Sequence, residues 1–534
     1  MKRIFLLALA LTTPLFGDTA ERYLVTMRSS ASPSRLRLTT NAVHRVRAFR
    51  NVDAFAANLT ADEAAELRSS PDVVSVKPVV ERHIDSLGVA TNVDYLSQVV
   101  PWGITAIRAD QVWPVTRGQS VNVVVIDTGI DPEHPDLAHA YAGGYNALDP
   151  QVPAIDDNTH GTHVAGTIAA ANNGFGVVGV APAVKIWGVK ALDREGVGTD
   201  EAVTAGIDWT IGKAKELGGR WVVNMSLSAT NPSDSEELAM GRALAEGIVL
   251  VASAGNRNTP FVRYPAHYRG VIAVGSVDSA LEKAASSSYG AGLTIMAPGV
   301  AIASTMLRGK SLAADVRFHD QVLRGWGVDG SPIGTIDGEI VDCGLGKPHE
   351  FRPEVAGRIA LIYRGEIPFR EKSRNAKEAG ASAVVIWDNE SDEIVPNGWT
   401  MKPLNGDDPA WETYPFPLTI GVTRSTGLRL LTQSSPVTVG YRDVPYGNLN
   451  GTSMAAPHVT GTVALMLSAA PSAQPAEIKY ALEHSAKDIH EPGPDFETSW
   501  GLVDALAAVK YVAPGKFDVP PPQPTPSPRR RAAR

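Results

Sequence analysis

The sequence predicts an α/β protein: a doubly wound, mainly parallel sheet carrying an inserted second domain and preceded by a small α+β unit. Three observations lead there. From about Val100, short apolar runs alternate with amphipathic helical stretches, the rhythm of a parallel sheet covered by helices. That rhythm stops after MAPGV (296–300) and resumes at NGTSMAAPHVTG (450–461). Ahead of it, residues 22–83 carry a pattern of their own.

Taken in order, MKRIFLLALALTTPLFG (1–17) has two basic residues, an apolar run and a small residue near a plausible cut point, the layout of a secretory signal peptide. No later apolar run is long enough for a membrane anchor, so the mature chain is expected to be secreted and soluble. In residues 22–83, YLVTMR, DAFAANL and VVSVKPVV read as strands and ADEAAELRSS as an amphipathic helix. Residues 84–99 are weakly patterned, a linker. Residues 100–308 hold the buried-type strands VNVVVID, VKIWGVKAL, WVVNMSLS, IVLVASAGN and VIAVGSV, with DEAVTAGIDWTIGKAKEL and SEELAMGRALAEG as helices between them. Residues 309–442 form the insertion, where RIALIYRG, REKSRNAKEAG and SAVVIWDN make a strand-helix-strand module. Residues 443–512 return to the main domain, and the proline-rich, then basic tail 513–534 is expected to be disordered.

Composition narrows the function. The 534 residues, 44% hydrophobic and 20% charged, suffice for several packed cores. A formal charge of −8, from 49 basic and 57 acidic residues, argues against nucleic acid or an anionic membrane as the main partner. Cys343 is the only cysteine, so an internal disulfide is impossible and stability outside a cell must come from packing or a bound metal. Cys343 itself reads as a buried small hydrophobe.

Polar residues stand at three places where a strand or helix end need only be structural. VVVIDTGIDPEHPDL puts Asp127 just past a very apolar strand, where a carboxylate requires a hydrogen-bonding partner. NTHGTHVAGTIAA puts His160 at the front of a helix, and NGTSMAAPHVTG crowds small residues around Ser453. Singly, each has a bland explanation: a turn, a packing histidine, a helix cap. Together, an acid, an imidazole and a hydroxyl are what acyl transfer requires. A pair of aspartates sharing a proton is excluded because DTG occurs once, and HGTH lacks the glutamate of a zinc HExxH site.

DTGID with HPDL, HGTHVAGT and GTSMAAPHVTG resemble the three signature segments of the subtilisin-type serine proteases, in the chain order Asp, His, Ser of that family. The resemblance covers roughly residues 100–300 and 447–512. It implies Asp127 as orienting acid, His160 as general base and Ser453 as nucleophile, with Asn256 in SAGN as the side-chain oxyanion donor. It also implies that substrate binds as an added strand against Ser226, Leu227 and Ser228, with Ala254 and Gly255 nearby. Ser228 departs from the usual glycine and is expected to narrow the cleft wall. Arg263 falls where a small residue often floors the main specificity pocket; it is expected to shorten that pocket or favour polar or acidic side chains, against the alternative of an outward-pointing surface arginine.

AAANNGFGVVGV resembles the family's calcium loop, which implies a structural Ca2+ ion with Gln98, Asp136, Ala171, Asn173, Phe175 and Val177 as ligands. Residues 22–83 resemble the inhibitory propeptide, implying self-cleavage within 84–99, and 309–442 resemble a protease-associated domain. The expected protein is thus a monomeric secreted serine endopeptidase acting on protein and peptide substrates, with its own propeptide as intramolecular inhibitor. An inactive peptide-binding relative would not need all four of Asp127, His160, Asn256 and Ser453; an esterase or peptide ligase on the same triad stays open.

Overall fold

A strand buried on both faces reads as an unbroken apolar run, and Val121–Asp127 lies at that extreme. In the computed structural model, which describes residues 20–28, 46–84, 97–309, 312–318, 321–390, 399–402 and 413–517, it sits inside a seven-stranded sheet. The order is Ile295–Pro298, Ile272–Val277, Val249–Ser253, Arg220–Met225, Val121–Asp127, Lys185–Lys190, Tyr141–Asn146, and every neighbouring pair is parallel. After Val121–Asp127 the chain builds one side of the sheet, then crosses to build the other. The strand order therefore reverses beside Asp127, and ligands of open α/β sheets gather at the carboxyl ends of strands at such a point. The expected signal segment, residues 85–96 of the linker and the tail beyond Phe517 lie outside the described residues.

Two strands of this sheet were not legible as such. Tyr141–Asn146, YAGGYN, has two glycines and is only partly buried, and Ile295–Pro298 is four residues long. Both complete the sheet because a neighbouring strand offers a ladder. The helix Thr452–Ala469 is buried on nearly all sides, its few polar residues included, and packs against several sheet strands, as a helix in the core does.

The N-terminal unit is a four-stranded antiparallel sheet, Arg47–Ala48, Ala54–Leu59, Glu21–Met27, Val73–Pro78, with the helix Ala61–Arg68 started by a Thr60/Glu63 capping box. Period-two alternation gives this sheet two buried faces. Tyr23, Val25, Phe55 and Leu59 make its own core, whereas Leu24, Ala54 and Ala56 join the core of the main domain. Polar links cross the same boundary: Arg22 pairs with Glu201, and Thr26 with Ser235 at 2.9 Å.

The insertion enters and leaves through one ribbon. Ile302–Thr305 pairs antiparallel with Tyr446–Leu449, so the two cut ends of the main domain lie side by side. Beyond them an eight-stranded sheet runs from Leu312 to Asp443, with two apolar clusters separate from the main core. Cys343 is buried there, and burial pushes its thiol up to about 12, consistent with an inert hydrophobe. Among the described residues no helix is long and apolar enough to cross a membrane.

Candidate active site

Asp127 ends its strand fully buried, a costly place for a carboxylate without partners. It has them: its oxygens lie 2.8 and 3.0 Å from His160 Nδ1, and Oδ1 accepts from the Thr128 N–H at 2.7 Å. An imidazole pinned at Nδ1 by a carboxylate carries its proton there and leaves Nε2 with the lone pair. His160 is 2% exposed, and its Nε2 is buried without a hydrogen-bond partner. Buried polar atoms are nearly always satisfied, so such a nitrogen calls for a functional reason.

Helix His160–Ala169 is positioned by glycines and by one acid that sequence reasoning missed. A Cβ on Gly161 would stand 2.1 Å from the Gly129 carbonyl, and one on Gly166 2.1 Å from Thr305 Oγ1. Thr159, just ahead of His160, is held at φ 120°, a strain of about 1–3 kcal/mol that the surroundings must impose. Asp156 does much of the imposing. Its buried carboxylate accepts from the Asn158, Thr159 and Thr162 N–H groups at 2.9–3.0 Å, and from the Thr162 and Thr128 hydroxyls at 2.6 and 2.8 Å. An acid four residues before a helix-start histidine is the available signal, since a carboxylate there meets both free N–H groups and the helix dipole.

Ser453 is the second residue of helix Thr452–Ala469, inside the first turn whose N–H groups lack intrahelical partners. Its hydroxyl donates to the Ser226 carbonyl at 3.2 Å, and the Ser226 hydroxyl donates back to the Ser453 carbonyl at 2.7 Å. No hydrogen bond joins Ser453 Oγ to His160 Nε2. The acid–imidazole link is made, and the imidazole–hydroxyl link is not. Asn256 lies next to the serine: its Oδ1 accepts from the Thr452 N–H at 2.9 Å, and the Thr452 hydroxyl accepts from Gly255 N at 3.2 Å. Fixing Oδ1 in this way turns the Nδ2 end of the amide into the donor. Nearby His163 and His458 are wholly buried, which lowers them to about 3 and about 4, so both are neutral packing groups.

The cleft holds a strand of the protein itself. Glu81–His83 pairs antiparallel with Val197–Thr199, Ile84 N donates to Gly196 O at 2.9 Å, and His83 and Ser228 exchange both backbone bonds, at 3.2 and 2.9 Å. Ser228 therefore pairs despite carrying a side chain. The opposite wall, Gly196–Thr199, was missed in the sequence because a three-residue strand has no readable period. Arg263 is half-buried. Its stem crosses the face of Gly255, its Nη2 donates to Thr230 at 2.8 Å, and its Nε has no hydrogen-bond partner. It lines a groove with His83, Ala229 and Asn231.

The six residues of the expected calcium loop converge. Gln98 Nε2 lies 2.6 Å from the Ala171 carbonyl and 3.2 Å from that of Val177; Asp136 accepts from Asn173 Nδ2 at 2.8 Å and from Val177 N at 3.1 Å; Phe175 joins through its N–H to Asn173 Oδ1. Two carbonyls and a buried carboxylate thus aim at one region, with an amide N–H₂ at the point where the carbonyls meet. Exchanging O and N of the Gln98 amide would present oxygen to that point. Oxygen donors with a single carboxylate fit a hard cation. Among the described residues no cluster of three His, Cys, Asp or Glu side chains is placed to hold a metal.

Comparison with known proteins points to one family. The subtilase family model matches residues 118–321 and 408–501, more than half of the chain, the PA domain model matches 336–430, and the peptidase inhibitor I9 model matches 22–85. A thermostable alkaline protease of Halalkalibacterium halodurans is 41% identical over 258 residues, 48% of this chain and 66% of the relative. Subtilisin E of Bacillus subtilis is 38% identical over 301 residues, 54% of this chain and 74% of the relative. Among solved structures, the subtilisin-like protease Apa1 of Pseudoalteromonas sp. AS-11 aligns with a TM-score of 0.52 at 29% identity, covering 78% of this chain and 99% of that one. Fervidolysin of Fervidobacterium pennivorans aligns with a TM-score of 0.59 at 24% identity, covering 92% of this chain and 61% of that one, a likeness of fold alone.

Replacing Asp156 with Ala leaves several buried donors unmet. Stability should fall by about 3 kcal/mol in urea titration; an unchanged midpoint would mean that Asp156 does not hold the helix start.

Proposed function

The chain belongs to the subtilase family, a serine-type endopeptidase lineage, and from that footing we propose a secreted protease, made as a precursor, that cuts peptide bonds with Asp127, His160 and Ser453. The observation that carries this reading is His160 Nε2: a buried ring nitrogen, aimed by Asp127 and left unpartnered, is ready to take a proton.

In this mechanism the Ser453 hydroxyl gives its proton to His160 Nε2 as Oγ bonds to the substrate carbonyl carbon, and His160 then passes that proton to the leaving amine. Asp127 keeps the imidazole in the right tautomer and stabilises the imidazolium. The carbonyl oxygen, now negative, is met by the Asn256 amide and the Ser453 N–H. Release of Ser453 from its bond to Ser226 O belongs to the same cycle. A substrate strand paired along Ser228 reaches Ser226 two residues later and can take that carbonyl with its own N–H, freeing the hydroxyl to turn to His160. Losing an asparagine donor of this kind lowers turnover about 10²–10³-fold, a figure that comes from subtilisin itself.

The I9-like unit serves as the built-in inhibitor, supported by the pairing of Glu81–His83 in the cleft, and self-cleavage within 84–99 releases it. A structural calcium ion would be held by Gln98, Asp136, Ala171, Asn173, Phe175 and Val177, tying the chain near residue 98 to the loop after the His160 helix. Arg263, lining the groove with an unpartnered Nε, favours polar or acidic side chains there.

Ser453→Ala should accumulate uncleaved precursor and refuse a fluorophosphonate label, whereas normal maturation of this variant would overturn the self-processing reading. EDTA should lower the melting temperature, because an ion at about 100 times its Kd adds about 3 kcal/mol; an unmoved melting curve rules out the calcium site. Cleavage profiling of Arg263→Ala should show a weaker preference for acidic side chains, and an identical profile would return Arg263 to the surface residues.

A further inference from the structure

The strand lying in the cleft carries one side chain that the catalytic steps do not use. Exposure alternates along Glu81–His83, with Glu81 and His83 outward and Arg82 wholly buried. A buried guanidinium is tolerated only with full pairing. Arg82 Nε and Nη2 lie 3.0 and 2.9 Å from the two carboxylate oxygens of Glu236, itself 0% exposed, and Nη1 reaches the Glu81 carbonyl at 3.0 Å. The Tyr268 hydroxyl stands 3.1 Å from Glu236 Oε2 and fixes it from behind. A second buried acid, Asp200, accepts from the Val80 N–H at 3.0 Å, and burial together with Glu236 raises its carboxyl to about 6.

Of the charged groups, only the guanidinium comes from the inhibitory strand. Glu236 and Asp200 stand in the first turns of helices Asp234–Ala245 and Asp200–Leu217 of the main domain, where the helix dipoles help to hold negative charge. Once the strand leaves, the pocket keeps both acids and Tyr268, and an apolar side chain entering it would leave Glu236 buried without a cation. Its two-oxygen presentation suits the planar fork of arginine better than the single point charge of lysine.

Register places this pocket relative to the cleaved bond. His83 opposes Ser228 in antiparallel pairing, so each step toward the C-terminus of a bound strand moves one residue back along 228, 227, 226. Ser226 is the residue whose carbonyl touches the Ser453 hydroxyl. The residue opposite Ser226 therefore carries the attacked carbonyl, and the one in the acidic pocket lies three positions before it. Resting on the protease reading above, we propose that Glu236, Asp200 and Tyr268 form a subsite for an arginine side chain of the substrate, three residues before the residue at whose carbonyl the chain is cut.

The test uses the processed enzyme, prepared from the full precursor, and internally quenched peptides that differ only at that position: arginine, lysine, citrulline or leucine. The arginine peptide should be cleaved with a kcat/KM at least about tenfold above the leucine and citrulline peptides, with lysine between them. Glu236→Gln should reduce the arginine-to-leucine ratio by about the same factor. If the wild-type enzyme cuts the leucine peptide as well as the arginine peptide, the pocket serves only to lock the precursor and the inference fails while the protease reading stands. An unchanged ratio in Glu236→Gln overturns the assignment of the pocket. Failure to cut any of the four peptides overturns the protease reading and this inference with it.

Discussion

A carboxylate with no exposure to water, bonded to an imidazole almost as deeply buried, is the constraint around which this domain is arranged. Neither group could sit there alone. Asp127 requires donors, and His160 supplies one through Nδ1. The requirement propagates outward: the helix that carries His160 must approach the strand end so closely that Gly161 admits no Cβ, Thr159 must accept a strained backbone, and Asp156 must gather the loose N–H groups of the helix start. What remains on His160 is Nε2, buried without a hydrogen-bond partner.

The cleft is built on the same economy of backbone groups. Ser226–Ser228 and Gly196–Thr199 present carbonyls and N–H groups toward each other across a gap that one extended strand fills. Because main-chain bonds carry most of this pairing, it accepts many sequences, and side-chain pockets must supply selectivity. The strand from the N-terminal unit therefore binds in the manner of a substrate, and its anchoring has two separable parts: backbone pairing, shared by any polypeptide, and the Arg82–Glu236 pair, which discriminates by charge and by fork geometry. The sheet face behind it, with Leu24, Ala54 and Ala56 packed into the main core, attaches the unit more firmly than the strand alone would.

The inserted domain shows how a long excursion can leave an active site intact. Its two ends are neighbours in the Ile302–Thr305 and Tyr446–Leu449 ribbon, so closing the loop asks nothing of the catalytic sheet. Its apolar clusters are its own. The return strand still matters to the site, because Asn450 and Gly451 lead directly into the helix that presents Ser453, and Gly451 N is held by the Gly299 carbonyl at 2.7 Å.

The sequence by itself determined the parallel α/β class and the two added units, and it singled out Asp127, His160, Asn256 and Ser453 as candidates. Those features are local: apolar runs with a fixed period, helix starts crowded with small residues, and signature spacings within a dozen positions. Tertiary structure alone decided the rest, since it depends on which distant segments meet. YAGGYN becomes an edge strand only because Lys185–Lys190 stands beside it. Asp156 and Gly196–Thr199 acquire their roles from what they face. Ser453 is found bonded to Ser226 and not to His160, and no one-dimensional pattern records that pairing. Arg82 and Glu236, 154 positions apart, meet and are buried against one another only through folding.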